Sequence, residues 1–221
     1  MCELLLDTDV LIKLAAYNLL PVIDHPGCAS GCMERNGLIA ASRYVALNQL
    51  GKKASDPAGA TARLNDYCSA VALLEPTSVE LQLAAGFEDA AARAGVDLDI
   101  GESQLCAIAL SRGCPVVLTG DKRAIKAAEA LLAAQPALAG LSMRLACLEQ
   151  AMIRATERLG PLAVRDLVLT ERRMDIAVDI CFQVTNPAPS ADFWPTGLLS
   201  YIHDLRASAP TMLIPSDTLS L

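Results

Sequence analysis

The pattern of apolar and polar residues predicts strands that alternate with helices along most of the chain. Short apolar runs of the kind found in strands buried on both faces of a sheet lie at 2–6, 71–74, 114–118 and 141–147. Apolar residues at helical spacing follow residue 9 and predict further helices over 38–50, 57–69, 77–94, 101–112, 122–134 and 148–159. This alternation favours an α/β fold with a mostly parallel sheet.

The part of the chain after residue 160 has a different pattern. Gly160-Pro161 ends the alternating part, so we expect a domain over 1–160 and a mainly helical C-terminal extension over 161–221, packed on it. Helices are predicted within 162–182 and over 198–207, with a proline-containing loop over 186–195. Residues 21–37 predict a loop, and 209–221 a poorly ordered tail.

Three acidic residues stand at the junctions of predicted strands and helices. Asp7 directly follows the first strand, Asp121 follows the strand over 114–118, and Glu102 opens the helix that begins at Gly101. Parallel strands place their carboxyl ends on one edge, where open α/β sheets bind ligands. Carboxylates that meet without a partner repel each other and lose hydration, and a divalent cation offsets both penalties. Oxygen ligands of this kind suit Mg²⁺ or Mn²⁺.

At these acids the sequence resembles the PIN-domain family of metal-dependent nucleases. The matching segments are 4–12 (LLLDTDVLI), 98–110 (LDIGESQLCAIAL) and 116–125 (VVLTGDKRAI). The resemblance implies a doubly wound α/β fold and hydrolysis of phosphodiester bonds, usually of RNA, at a Mg²⁺ or Mn²⁺ site. It implies that Asp7, Glu102 and Asp121 are catalytic, metal-ligating acids and that Thr119 is a supporting hydroxyl. Because members of the family often occur as toxins held by an antitoxin peptide, it also implies an antitoxin-like protein partner.

The family usually carries one more acid on a helix between the first and third motifs, and the sequence leaves its position open. The candidates are Glu34, Glu80 and Glu88. Glu80 follows Thr77 at the spacing of a capping box, so a helix cap is its competing interpretation. Asp9 and Asp99 are supporting acids, and for Asp99 we favour a helix N-cap.

Basic residues lie next to the proposed site. Lys122 and Arg123 directly follow Asp121, and we expect them to bind a phosphate of the substrate. A solvated helix face explains them equally well. The net charge of −7 argues against a nucleic-acid partner, although clustered metal-binding carboxylates account for part of it.

Composition sets the remaining expectations. Hydrophobic residues make up 53% of the chain, which provides a large core and favours a homodimer interface. No apolar run approaches the roughly 18 residues of a membrane span, and Glu3 and Asp7 within the first apolar stretch argue against a signal peptide. Eight cysteines without a CxxC pair favour a reducing, cytoplasmic compartment. His25, Cys28 and Cys32 form a loose cluster without a convincing fourth zinc ligand.

Two other functions stay open at this point. Asp7-Thr8-Asp9 resembles the nucleophile-and-acid pair of haloacid-dehalogenase-type phosphatases, but Ile125 stands where that family has a second acid after the Gly-Asp motif. A PIN-like binding module with an incomplete acid set is the other alternative. The preferred hypothesis is a nuclease that acts on RNA or single-stranded nucleic acid.

Overall fold

The computed structural model describes residues 3–23, 36–190 and 193–219. Within these ranges the sheet has five parallel strands in the order β3-β2-β1-β4-β5. The strands are β1 (Leu4–Leu6), β2 (Asn36–Ile39), β3 (Ala72–Leu74), β4 (Val116–Thr119) and β5 (Leu145–Cys147).

Helices flank this sheet. Those of the first 160 residues are α1 (Thr8–Ala16), α2 (Leu20–Ile23), α3 (Ala40–Lys53), α4 (Pro57–Ala70), α5 (Ser78–Ala94), α6 (Ile100–Arg112), α7 (Lys122–Ala130), a 3-10 helix (Pro136–Leu141) and α8 (Leu148–Leu159). The extension adds α9 (Pro161–Thr170), α10 (Ile176–Cys181) and α11 (Phe193–Ser208). The predicted α/β class and parallel sheet are confirmed. None of the described helices has both the length and the apolar character needed to cross a membrane.

Strand β1 is the centre of the sheet. Its three leucines are fully buried, and it pairs with β2 on one side and β4 on the other, with Leu6 in register with Leu38 and Leu118. The chain therefore moves outward through β2 and β3, then returns to the other side of β1 for β4 and β5. A doubly wound sheet has this layout, and its ligand crevice lies where the two halves diverge.

Strand β2 was missed by the sequence analysis, which placed a loop and the start of a helix there. Asn36 and Gly37 are poor strand formers, but the strand forms because it fills the gap between β1 and β3 and pairs with both. The Asn36 side chain also donates to the Tyr67 hydroxyl at 2.9 Å. Two helix limits also differ from the predicted ones: α7 ends at Ala130 and α11 begins at Phe193.

The tail after α11 is ordered by the sheet, so the expectation of a poorly ordered tail was wrong for residues 209–219. Leu145 of β5 donates its N–H to the Met212 carbonyl at 3.0 Å and accepts from the Ile214 N–H at 2.8 Å. Leu213 and Leu219 are buried. The tail thereby covers the exposed edge of β5, and that edge is a long-range partner that no local pattern reveals.

The extension shares the hydrophobic core of the sheet domain. Buried residues from Leu4 to Leu219 form one cluster, and α11 packs against α8. At another contact, the Glu171 carboxylate accepts from the backbone N–H groups of Ser55 and Asp56, at 2.6 and 3.0 Å.

We expect Leu213→Ala to lower the free energy of unfolding by about 2–5 kcal/mol, because it leaves a cavity beside β5. Leu162→Ala is the control, since Leu162 is 65% exposed, and its effect should stay within about 0.5 kcal/mol. Urea unfolding followed by circular dichroism measures both. Equal stability of the two variants would show that the tail does not belong to the core.

Candidate active site

A cleft of about 540 Å³ opens at the carboxyl ends of β1 and β4. The acids that line it are Asp7, Asp9, Asp99, Glu102 and Asp121. Thus the structure brings the three sequence-predicted acids into one cleft, together with the supporting acids Asp9 and Asp99. Helix α3 forms another wall of the cleft, to which it contributes Val45, Gln49 and Lys53.

Asp7 is held rigidly between the two central strands. Its N–H donates to the Leu118 carbonyl at 2.9 Å, which extends the pairing of β1 and β4 by one residue. Its Oδ1 caps α1 by accepting from the Thr8 N–H at 2.6 Å. Burial, followed by the charge of Asp9, raises the pKa of Asp7 to about 6.

Thr119 connects two of the acids. Its hydroxyl donates to Asp7 Oδ2 at 3.2 Å and accepts from the Asp121 N–H at 3.1 Å. The hydroxyl therefore fixes the Asp7 carboxylate and the start of the loop that carries Asp121. The supporting role that the resemblance implies for Thr119 stays a prediction.

Glu102 and Asp99 form a capping box at the start of α6. The Asp99 N–H donates to Glu102 Oε2 and the Glu102 N–H donates to Asp99 Oδ1, each at 2.9 Å. Asp99 is the N-cap of α6, as we favoured from the sequence, and it also lines the cleft. Burial, reinforced by the charges of Asp99, Asp121 and Asp7, raises the pKa of Glu102 to about 8.

Asp121 is bound by Arg123 of its own helix. The Arg123 guanidinium donates to both carboxylate oxygens of Asp121, at 3.1 Å to Oδ1 and 2.6 Å to Oδ2. The backbone N–H of Arg123 also donates to Oδ1, at 2.8 Å. Burial alone would raise the pKa of Asp121, but these bonds outweigh it and hold the pKa below its usual value. Arg123, which we expected to bind phosphate, is thus paired within the protein.

Asp9 is bound by Lys13, and the C-terminal extension takes part. Lys13 Nζ lies 2.5 Å from Asp9 Oδ2 and 2.7 Å from Asp175 Oδ2, and Lys13 lines the cleft. A Cβ on Gly120 would lie 2.2 Å from Asp9 Oδ2, so the glycine allows this close approach. Sequence reasoning missed Asp175, because nothing local connects it with α1.

Lys122 does not belong to the lining of the cleft. It forms an ion pair with Glu149, which is 2% exposed, and its ammonium lies 4.9 Å from the centre of the Tyr201 ring. Lys122 therefore joins α7 to α8 and α11. The geometry gives its expected phosphate-binding role no support.

The acid that the sequence left unplaced is not supplied by α3, which has no acidic residue. Glu80 caps α5 and pairs with Arg112, 2.7 Å from Arg112 Nε, and bonds from Arg112 hold its pKa at about 2. Glu88 lines a hollow next to the cleft. Glu34 lies outside the described residues, as does the cluster of His25, Cys28 and Cys32.

The carboxylate oxygens of the cleft suit a hard divalent cation, but they are already bonded to other groups of the chain. Among the residues that the structure describes, no three His, Cys, Asp or Glu side chains are close enough to hold a metal ion. The carboxylates bind donors of the chain instead: Arg123 at Asp121, Lys13 at Asp9 and a backbone N–H at Glu102. The residues therefore fit the ion in chemical type, while two of the chain's own cations occupy acids of the cleft.

Comparison of the chain with profiles of protein families, with curated proteins and with solved structures gives no match. The function must therefore be argued from the cleft.

We expect Glu80→Gln to lower the free energy of unfolding at pH 7 by about 2 kcal/mol, since it removes a buried, charge-assisted pair with Arg112. The pKa of Glu80 is about 2 in the fold and 4.5 ordinarily. The stabilisation is therefore complete above about pH 4.5 and is lost as the pH falls through about 2. Urea unfolding between pH 7 and 3 measures this decline.

Glu88→Gln, on the same helix, is the control and should change stability by no more than about 0.5 kcal/mol. A Glu80→Gln effect of constant size across this pH range would contradict the assignment of Glu80 to a stabilising ion pair.

Proposed function

We propose that this protein is a divalent-metal-dependent endonuclease of the PIN type, which hydrolyses phosphodiester bonds of RNA or another single-stranded nucleic acid. The observation that carries the proposal is the convergence of Asp7, Glu102 and Asp121 in one cleft at the switch point of the sheet. The order of the three sequence motifs supports it independently.

Burying several acids close together lowers the stability of the fold, so stability does not explain why they are placed in this cleft. Burial and mutual repulsion raise the pKa values of Asp7 and Glu102, to about 6 and 8. A bound divalent cation would remove this penalty, polarise the scissile phosphate and activate water. Asp7, Glu102 and Asp121 would hold the cation, while Thr119 orients Asp7 and Asp99 orients Glu102.

The phosphatase alternative is less well supported. It requires Asp9 to act as a free general acid, yet Asp9 lies 2.5 Å from Lys13. Ile125, at the position of that family's second acid, is fully buried in the core. The inactive binding module keeps one supporting observation, because α3 contributes no acid to the cleft. The homodimer and the antitoxin-like partner stay predictions.

We expect Asp7→Asn and Glu102→Gln to reduce Mn²⁺-dependent cleavage of a fluorogenic single-stranded RNA by about 100-fold or more, because each removes a ligand charge. Asp89→Asn is the matched control, since Asp89 pairs with Arg93 on the exposed face of α5. Full Mn²⁺-dependent activity in Asp7→Asn would contradict the proposal.

The same proteins separate the alternatives. Mn²⁺ binding without cleavage by the wild type would favour the binding module. A covalent phosphate on Asp7 after incubation with p-nitrophenyl phosphate would establish the phosphatase.

The α3 wall offers a different substrate contact from the ones that the sequence suggested. Lys53 lines the same cleft as the carboxylates, and no acid within the described ranges pairs with it. Its ammonium is therefore available for a phosphate of the substrate, as a point charge on a flexible stem.

We expect Lys53→Ala to weaken binding of a fluorescent single-stranded oligonucleotide about fivefold and to lower the slope of log affinity against log salt by roughly 0.7, the change for one lost contact. Lys52→Ala is the control, because it removes the same charge from the next position, which does not line the cleft. Fluorescence anisotropy measures both. Equal losses would assign the effect to general charge.

A further inference from the structure

Arg123 binds both oxygens of one of the proposed cation ligands, Asp121. Three of its N–H groups, two from the guanidinium and one from the backbone, bind the two oxygens of Asp121. A guanidinium that bonds both carboxylate oxygens delivers positive charge where a bound cation would deliver it. A cation that binds Asp121 therefore competes with the Arg123 side chain for the same two oxygens.

This contact is also easy to open. The Arg123 side chain is 71% exposed, so its guanidinium regains water when it leaves Asp121. A second acid stands ready, because Asp97 Oδ2 lies 3.5 Å from Arg123 Nη1. The guanidinium can thus move outward to Asp97 or solvent and keep partners for its N–H groups.

We propose that Arg123 is an internal competitor of the divalent cation: it holds Asp121 in the cation-free protein and leaves that carboxylate when the cation binds. The inference rests on the proposed function, since it assumes that Asp121 is a cation ligand. Among the described residues no three acids are placed to hold a metal ion, although five acids line the cleft, and the pairing with Arg123 withholds one of the five. By linkage, whatever draws Arg123 away from Asp121 strengthens cation binding by the same factor.

The inference makes a prediction about the direction of an effect. Removing Arg123 should tighten cation binding, whereas removing a ligand weakens it. Loss of any nearby positive charge also favours a cation slightly, so a matched variant is needed. Lys126 lies three residues further on the same helix and pairs with Asp204 instead of an acid of the cleft. Lys126→Gln therefore measures the general charge effect alone.

The experiment is titration calorimetry with Mn²⁺ on the full chain, comparing wild type, Arg123→Gln and Lys126→Gln. We expect Arg123→Gln to bind Mn²⁺ about fivefold tighter or more, the lower end of typical coupling between sites, and Lys126→Gln to stay within about twofold. Circular dichroism checks that each variant is folded, which the exposure of Arg123 favours.

The outcomes separate the two proposals. Tighter binding by Arg123→Gln alone, or binding that appears only in that variant, supports the competitor. Wild-type binding that Arg123→Gln leaves unchanged or weaker, or that both variants strengthen equally, overturns the competitor and leaves the metal site standing. No Mn²⁺ binding by any of the three proteins overturns the metal site and the competitor with it.

Discussion

The pairing of β1 with β4 is the constraint on which the site depends. β1 is a fully buried run of three leucines, and its register with β4 brings the carboxyl ends of the two strands level. The hydrogen bond from Asp7 N–H to the Leu118 carbonyl continues this ladder past the end of β1. Thr119 then connects Asp7 with Asp121. Asp7 and Asp121 are thus positioned by the sheet itself, which is more rigid than loops would be.

The electrostatics of the cleft follow from that placement. Acids that lie close together beside a buried strand lose hydration, and hydrogen bonds or ion pairs must compensate for that loss. Each acid of the cleft has such a partner within the chain. Asp121 has Arg123, Asp9 has Lys13, and Glu102 has the Asp99 N–H. Lys13 is shared with Asp175 of the extension, so the last part of the chain contributes to the charge balance of the cleft.

The sequence predicted those features that depend on local signals. Buried apolar runs located four of the strands, and the predicted limits of strands and helices placed Asp7, Glu102 and Asp121 at element junctions. Strand β2 and the tail were missed because both are ordered by pairing with distant strands, and residues such as Asn36 and Gly37 carry no local strand signal. The direction in which a side chain points could not be predicted from the sequence either. Lys122 and Arg123 are neighbours, yet one turns toward Glu149 and the other toward Asp121.

The net charge of −7 argued against a nucleic-acid substrate, and the structure shows why that argument is weak for this chain. A phosphate in the cleft responds mainly to charges within a Debye length, about 8 Å at physiological ionic strength. The negative charge of the cleft lies at the ends of β1 and β4 and on α1 and α6, where a cation would neutralise it. The wall on α3 carries Gln49 and Lys53 and no acid. The absence of an α3 acid therefore counts against a complete four-acid site, and the same absence leaves a wall that a phosphate backbone can approach.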